Sequence, residues 1–295
     1  KIQKTGPHLK ANENSTVYVL KTLNVNLCTL ANNHILDYDQ QGVLDTLEFC
    51  KQNEISTIGA GKDKEEAAKI FYQDFPEGKI AIINIAENEW ASATENTAGA
   101  NGMNLIDDVK KIQEAQKKSD FVFVIVHGGH EYYNLPSPRM QKQYRFYIDI
   151  GADLVVGHHT HCISGMETYK DKQIYYSLGN FLFTRPSQFE DWYLGLVLKI
   201  NIQNGKLKTH LHPVKQKKEG FELSLLMDEE KQKVFNRIFN YNVIITKKIE
   251  LNQQWNNYVE FKYQNYLSYW SPLSFIKNRF IKAILNKLRI KAINK

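Results

Sequence analysis

The sequence predicts an α/β chain with a helical C-terminal extension. Three observations carry that reading. Short apolar, β-branched runs alternate with longer helical stretches from about residue 23 to 211, and three histidine-bearing clusters each follow an apolar run. After about residue 220, strand-like sequence gives way to Asn-, Lys- and aromatic-rich helical sequence. The 295 residues allow one large domain with an appendage, and the charge run Lys215, Gln216, Lys217, Lys218 places the boundary between 1–215 and a basic extension 216–295.

Taken in order, strands are expected at 26–30, 55–58, 79–85, 121–126, 154–156, 173–176 and 193–200. Helices are expected at 41–52, 64–71, 103–117 and 139–150, the last closed by Gly151 as a C-terminal glycine. Asn204 and Gly205 form the two-residue signature of a hairpin turn between the last strand and a further one over 206–213.

Composition narrows the function classes. With 42% hydrophobic and 24% charged residues the chain is neither disordered nor low in complexity. Its longest strongly apolar run, 121–126, is far short of the roughly 20 residues of a membrane-spanning helix. Cys28, Cys50 and Cys162 are odd in number and widely spaced, which gives neither a disulfide framework nor a CxxC metal site. The net charge of +6 is a property of the tail: residues 261–295 hold eight Lys and Arg and no acid, leaving the rest at −2. No nucleic-acid partner is expected from that balance.

The chemistry concentrates in the clusters. The first reads Leu30, Ala31, Asn32, Asn33, His34, followed by Asp37; the second His127, Gly128, Gly129, His130, Glu131; the third Gly157, His158, His159, Thr160, His161. In open α/β sheets ligands bind beyond the carboxyl ends of the strands, so three such clusters could share one site. Neutral imidazole and amide oxygen suit Zn, Mn or Fe, and a histidine beside an amide ligand can act as acid or base. Alternatives stay open at this level: His127 alone reads equally as a hydrogen-bonded loop residue, and Asn32 with Asn33 as a turn. Glu131, Tyr132 and Tyr133 could line a cleft or form a packed rim, and Ser177 to Phe181 could face the site or be a plain turn over a buried Phe.

On these motifs, together with Ile58-Gly59-Ala60-Gly61, Pro136-Ser137-Pro138, Gly151-Ala152-Asp153 and Ser177-Leu178-Gly179-Asn180-Phe181, the sequence resembles the CapA family of capsule and poly-γ-glutamate synthesis proteins, a branch of the calcineurin-like metallophosphatases, over roughly residues 6–211. The resemblance implies a four-layer α/β/β/α sandwich with Asn33, His127, His159 and His161 as metal-site residues and His34 as the catalytic histidine; His158 is an additional metal-site candidate that the motif does not place. Asn32, Asp37, His130, Glu131, Tyr132 and Asn180 are the corresponding cleft candidates. It further implies a divalent ion, Mn, Zn or Fe, with polymer synthase components or an anionic polymer as partners at the membrane or cell envelope. The family's Gly-Asp and Asn-Leu-Glu segments do not precede Thr22, which reads as a missing first β-α unit; a two-ion centre is expected only where those acidic residues are present.

From Pro272 onward, Leu273, Ile276, Phe280, Ile284 and Leu288 recur at helical spacing among Lys277, Arg279, Lys282, Lys287 and Arg289. Such a basic amphipathic helix can lie on an anionic membrane or pack on the domain. Three functional expectations follow: an accessory protein of capsule, exopolysaccharide or poly-γ-glutamate synthesis; a metal-dependent phosphoesterase; and a non-catalytic scaffold for a synthase or polymer.

Overall fold

The computed structural model describes residues 1–4, 6–269 and Leu288. Apart from Leu288, the basic helix expected at 272–295 lies outside the described residues. In chain order the elements are α1 (Glu13–Thr22), β1 (Leu27–Thr29), α2 (Asp39–Gln52), β2 (Ser56–Ile58), β3 (Ala60–Gly61), α3 (Lys64–Ala67), β4 (Phe71–Phe75), β5 (Gly78–Ala86), β6 (Gly99–Ala100), α4 (Leu105–Lys118), β7 (Phe121–His127), α5 (Pro138–Asp149), β8 (Leu154–His158), β9 (Met166–Tyr169), β10 (Lys172–Tyr175), β11 (Leu194–Gln203), β12 (Lys206–Gln216), β13 (Leu223–Leu225), α6 (Asp228–Thr246) and α7 (Lys248–Tyr269).

The central sheet has six strands in the order β4-β5-β7-β8-β10-β9, with β5, β7, β8 and β10 parallel and an antiparallel strand at each edge. β7 reads as an unbroken apolar run because both of its faces are covered. Val122, Val124 and Val126 pack with Ile112 and Ala115 of α4 and with Met140, Tyr144 and Tyr147 of α5. Phe121 and Phe123 face the other way, against Leu198 and Ile200 of β11 and Leu207 and Leu211 of β12. The result is helix on sheet on sheet, in keeping with the α/β sandwich expected from the sequence.

Local chemistry explains the boundaries. Ser137 caps α5 by accepting from the Met140 N–H, with Pro138 in the first turn, and the Asn104 side chain caps α4. Asn204 and Gly205 both take positive φ, the geometry of the tight β11–β12 turn. One expected helix is cut short: of 64–71 only Lys64–Ala67 is helical, and Phe71 opens β4, paired to Ile82 across a hairpin. Tertiary pairing of an aromatic strand there overrides the helical pattern.

The chain forms two compact units, Lys1–Thr246 and Lys247–Lys295. The first runs past the Lys215–Lys218 charge run, because β13 pairs with β12 and α6 buries Val234 and Ile238 against Leu194, Leu196 and Ile163. Gln141 also donates to the Ile245 carbonyl, and the Met166 N–H to Asn242 Oδ1, fixing α6 to the sheet edge. The second unit contains α7, on which the Trp255 and Tyr258 rings lie 5.5 Å apart. Among the described residues no helix is long and apolar enough to cross a membrane.

Candidate functional site

Strand register brings the clusters together. Ala86 of β5 pairs with His127 of β7, which pairs with His158 of β8, so the carboxyl ends of three parallel strands finish level. A cavity of about 370 Å³ opens there, lined by Asn32, Asn33 and His34 from the loop after β1, by His127, His158, His159 and His161, and by Asn180. Clusters separated by more than a hundred residues in sequence thus share one wall.

The loop after β1 is held against the sheet by a buried amide. Asn84, inside the apolar run of β5, accepts from the Ala31 N–H at 2.8 Å through Oδ1 and donates to the Ile125 carbonyl at 3.2 Å. Gly59, with φ +85°, lets the neighbouring strand pass: a Cβ there would lie 2.1 Å from Asn84 Oδ1. Asn33 is 7% exposed. Its Nδ2 donates to Glu89 at 3.3 Å and its carbonyl accepts from the Trp90 indole at 2.8 Å, which turns its Oδ1 to His127 Nε2 at 3.1 Å.

His159 Nδ1 lies 3.1 Å from the same His127 Nε2, and His161 Nδ1 lies 2.9 Å from Asn180 Oδ1. Burial, reinforced by the neighbouring imidazoles, holds His127 well below the ordinary imidazole range; burial also lowers His161 and takes His158 down to about 4. These rings are neutral near pH 7, the state in which imidazole ligates metal. His159 and His161 carry φ of +97° and +57°, unusual for residues with a Cβ. Buried Thr160 between them holds the turn by donating to the Cys162 carbonyl and bonding Ser177 Oγ. Strain of this kind persists where surrounding structure over-determines it and concentrates at functional sites.

His34 is oriented from behind. Its Nδ1 donates to Asp37 Oδ2 at 2.8 Å, the same oxygen accepts from the Leu9 N–H, and buried Lys4 pairs with the other carboxylate oxygen. Lys4 Nζ also approaches the His34 ring at 3.0 Å. Burial alone would raise Asp37, but these partners outweigh it and hold the carboxyl below its usual range. With Nδ1 engaged by Asp37 and Lys4, Nε2 is the nitrogen of His34 left for the cavity.

Not every cleft candidate reaches the cavity wall. Asp37 is buried behind His34, and His130, Glu131 and Tyr132 are absent from the lining. Tyr132 instead stacks on Phe189 at 4.3 Å, beside Trp192, which in turn packs on His161 at 4.5 Å. Of the two readings left open for Ser177 to Phe181, burial of the Phe does not hold: Phe181 is 37% exposed, and Phe183 takes the position against His161. Sequence reasoning missed Lys4, Asn84, Glu89 and Phe183. Asn84 alone carried a signal, an amide inside an otherwise apolar strand.

The fit to a metal ion can be judged from the donors. Among the described residues no three His, Cys, Asp or Glu side chains gather as a metal-holding group. Asn33 Oδ1, His127 Nε2 and His159 Nδ1 nevertheless meet in two contacts of 3.1 Å. Both are hydrogen-bond distances, and neutral imidazole and amide oxygen are donor types that Zn, Mn or Fe accept.

Against known families, a model described as bacterial capsule synthesis protein PGA_cap matches residues 1–185. The chain belongs to this family. The capsule biosynthesis protein CapA of Bacillus anthracis is 34% identical over 220 residues, covering 68% of this chain and 53% of the relative. The PGA biosynthesis protein CapA of Bacillus subtilis is 39% identical over 197 residues, covering 63% of this chain and 51% of the relative. A probable polyglutamine synthesis accessory protein of Mycobacterium tuberculosis is 30% identical, covering 56% and 47%. The chain thus spans about half the length of the curated relatives it matches, and the cavity residues from Asn32 to Asn180 all fall within the stretch matched by the PGA_cap model.

Proposed function

We propose that the chain acts as an accessory protein of capsule or poly-γ-glutamate biosynthesis. The observation that carries this reading is the PGA_cap match over residues 1–185, which includes every polar residue of the cavity wall. The names of the Bacillus and Mycobacterium relatives support it. Its partners are then components of a polymer synthase or the anionic polymer, at the membrane or cell envelope. Deleting the gene in a polymer-producing host should abolish or sharply reduce surface polymer, with recovery on complementation. Unchanged polymer in the deletion strain would reject the role.

A second reading, metal-dependent phosphoester hydrolysis, is favoured by the convergence of Asn33, His127 and His159. These three would hold the ion, with His158 and His161 completing the wall. A bound Mn, Zn or Fe ion would supply Lewis-acid polarisation of a phosphoryl oxygen and an acidified water. In its doubly protonated form, with Asp37 accepting from Nδ1–H, His34 would protonate the leaving oxygen through Nε2. The strained His159–His161 turn and the Thr160 anchor keep the imidazoles in position before a ligand arrives. Metal content should fall in Asn33→Ala and His159→Ala but not in His34→Ala, whereas turnover of a generic phosphodiester should fall in all three. Equal metal content in all variants and wild type would remove this reading.

A further inference from the structure

A second and larger concavity, about 850 Å³, lies between the β11–β12 hairpin and α6, within the first compact unit. Its lining contains no Asp or Glu: cations and imidazoles (Lys199, His210, His212, Lys231) stand over Phe235 and Phe239. By contrast, the cleft beside α2 is lined by Asp45, Glu48, Glu54 and Glu66. Phe239 is 66% exposed, an apolar floor open to solvent.

The charge continues along the outward face of the hairpin. Lys199 pairs across the ladder with His210, Asn201 with Lys208, and Gln203 with Lys206. Paired positions share one face of the sheet, and successive same-face positions repeat about every 6.6–6.8 Å along a strand. Lys199, Lys206, Lys208 and His210 are exposed. Lysines nearby are neutralised, Lys215 by Glu230, Lys217 by Glu222 and Lys218 by Glu190. Lys233 likewise meets Glu229. Among the described residues, Lys199, Lys206, Lys208 and Lys231 have no acidic partner, although like charges aligned on one sheet face repel.

We propose that the hairpin face and the α6 cleft form a binding surface for a linear polycarboxylate. Regularly spaced cations match repeated carboxylates, the amides of Asn201 and Gln203 supply neutral donors between them, and Phe235 and Phe239 accept the methylene segments that separate the charges. The histidine cavity is unsuited to this task, since its 370 Å³ volume favours a compact ligand. The choice of carboxylate rests on the proposed role in polymer synthesis; the position and sign of the surface do not.

Fluorescence anisotropy with labelled poly-γ-glutamate, using the full chain, tests the assignment. The triple variant K199E/K208E/K231E should weaken binding at least about tenfold, because each change replaces attraction by repulsion. A control of equal charge change elsewhere, K51E/K117E/K142E, should shift affinity less than about threefold, as distant exposed charges are screened by salt. Neutral polyglutamine should not compete. Equal weakening in both triple variants would mean attraction to overall charge and overturn the proposal, as would an unaffected cleft variant or tighter binding of heparin than of poly-γ-glutamate. Matching thermal unfolding midpoints for the three proteins exclude misfolding. A deletion strain without polymer whose protein fails to bind poly-γ-glutamate would retain the biosynthetic role and lose only this surface.

Discussion

The histidine cavity and the hairpin–α6 cleft are built by opposite physical means. The cavity sits at level strand ends, its side chains are locked by hydrogen bonds from buried amides, and two of its histidines hold a strained backbone. In the cleft, solvated lysines stand on a regular β ladder, without acidic partners among the described residues and without backbone strain in the 206–212 stretch. Preorganisation of the first kind costs stability and fixes geometry to fractions of an ångström, whereas clustered surface charge costs little and acts over a Debye length. The difference teaches that substitutions in the two regions should report through different measurements.

The largest effect is expected where the cavity is anchored. Gly59→Val combines a forbidden φ with a collision against Asn84, and should destabilise by about 3 kcal/mol or more in urea unfolding. Asn84→Ala, which strands the buried Ala31 N–H, should cost about 1–3 kcal/mol. If either were neutral, the cavity would not be the rigid region described. A sharper test is His159→Gly: relief of positive φ should raise chelator-treated stability by up to about 1 kcal/mol while metal content falls. A variant that lost stability and metal together would show that His159 serves packing, not a site.

A pH measurement separates both regions from the core beneath them. Asp108, buried on α4, is pushed up to about 6 by loss of solvent, partly offset by the Tyr147 hydroxyl donating to it at 2.9 Å. Its folded value lies above the unfolded one, so the folded state binds the extra proton. Stability is therefore greatest below about pH 4 in this contribution and declines as pH rises towards 6. Asp108→Asn should flatten that window and gain on the order of 1 kcal/mol at pH 7. The smallest stability effect belongs to the cleft: K199E/K208E/K231E should stay within about 0.5 kcal/mol of wild type. A larger loss would mean those lysines support the fold.

Much of this was legible in the chain. The apolar runs of β5, β7 and β8 announced strands because parallel sheets cover both faces, and histidines immediately after such runs fall at the ligand-binding edge. Where the reading stopped short, the reason was long-range. Asp37 follows His34 closely enough to look like a cleft residue, yet Leu9 and Lys4 fold over it and bury it. Tyr132 adjoins the second histidine cluster but is captured by Phe189, contributed from more than fifty residues downstream. The strand at Phe71–Phe75 was missed because the helical reading ran through Phe71 and stopped there, and only the antiparallel pairing with β5 makes that stretch extended.

By itself, then, the sequence determined the α/β class, the hairpin at Asn204-Gly205, the family and the ligand types available at the strand ends, since these depend on local periodicity, turn conformation and side-chain chemistry. Tertiary structure decided which of those ligands meet. Convergence of Asn33, His127 and His159 follows from the register that levels β5, β7 and β8 and from Asn84 tying in the loop after β1, contacts between residues 31 to 94 positions apart. The lysine face needed more still: its charges are ordinary in sequence, and only the pairing of β11 with β12 and the placement of α6 gather them around one cleft.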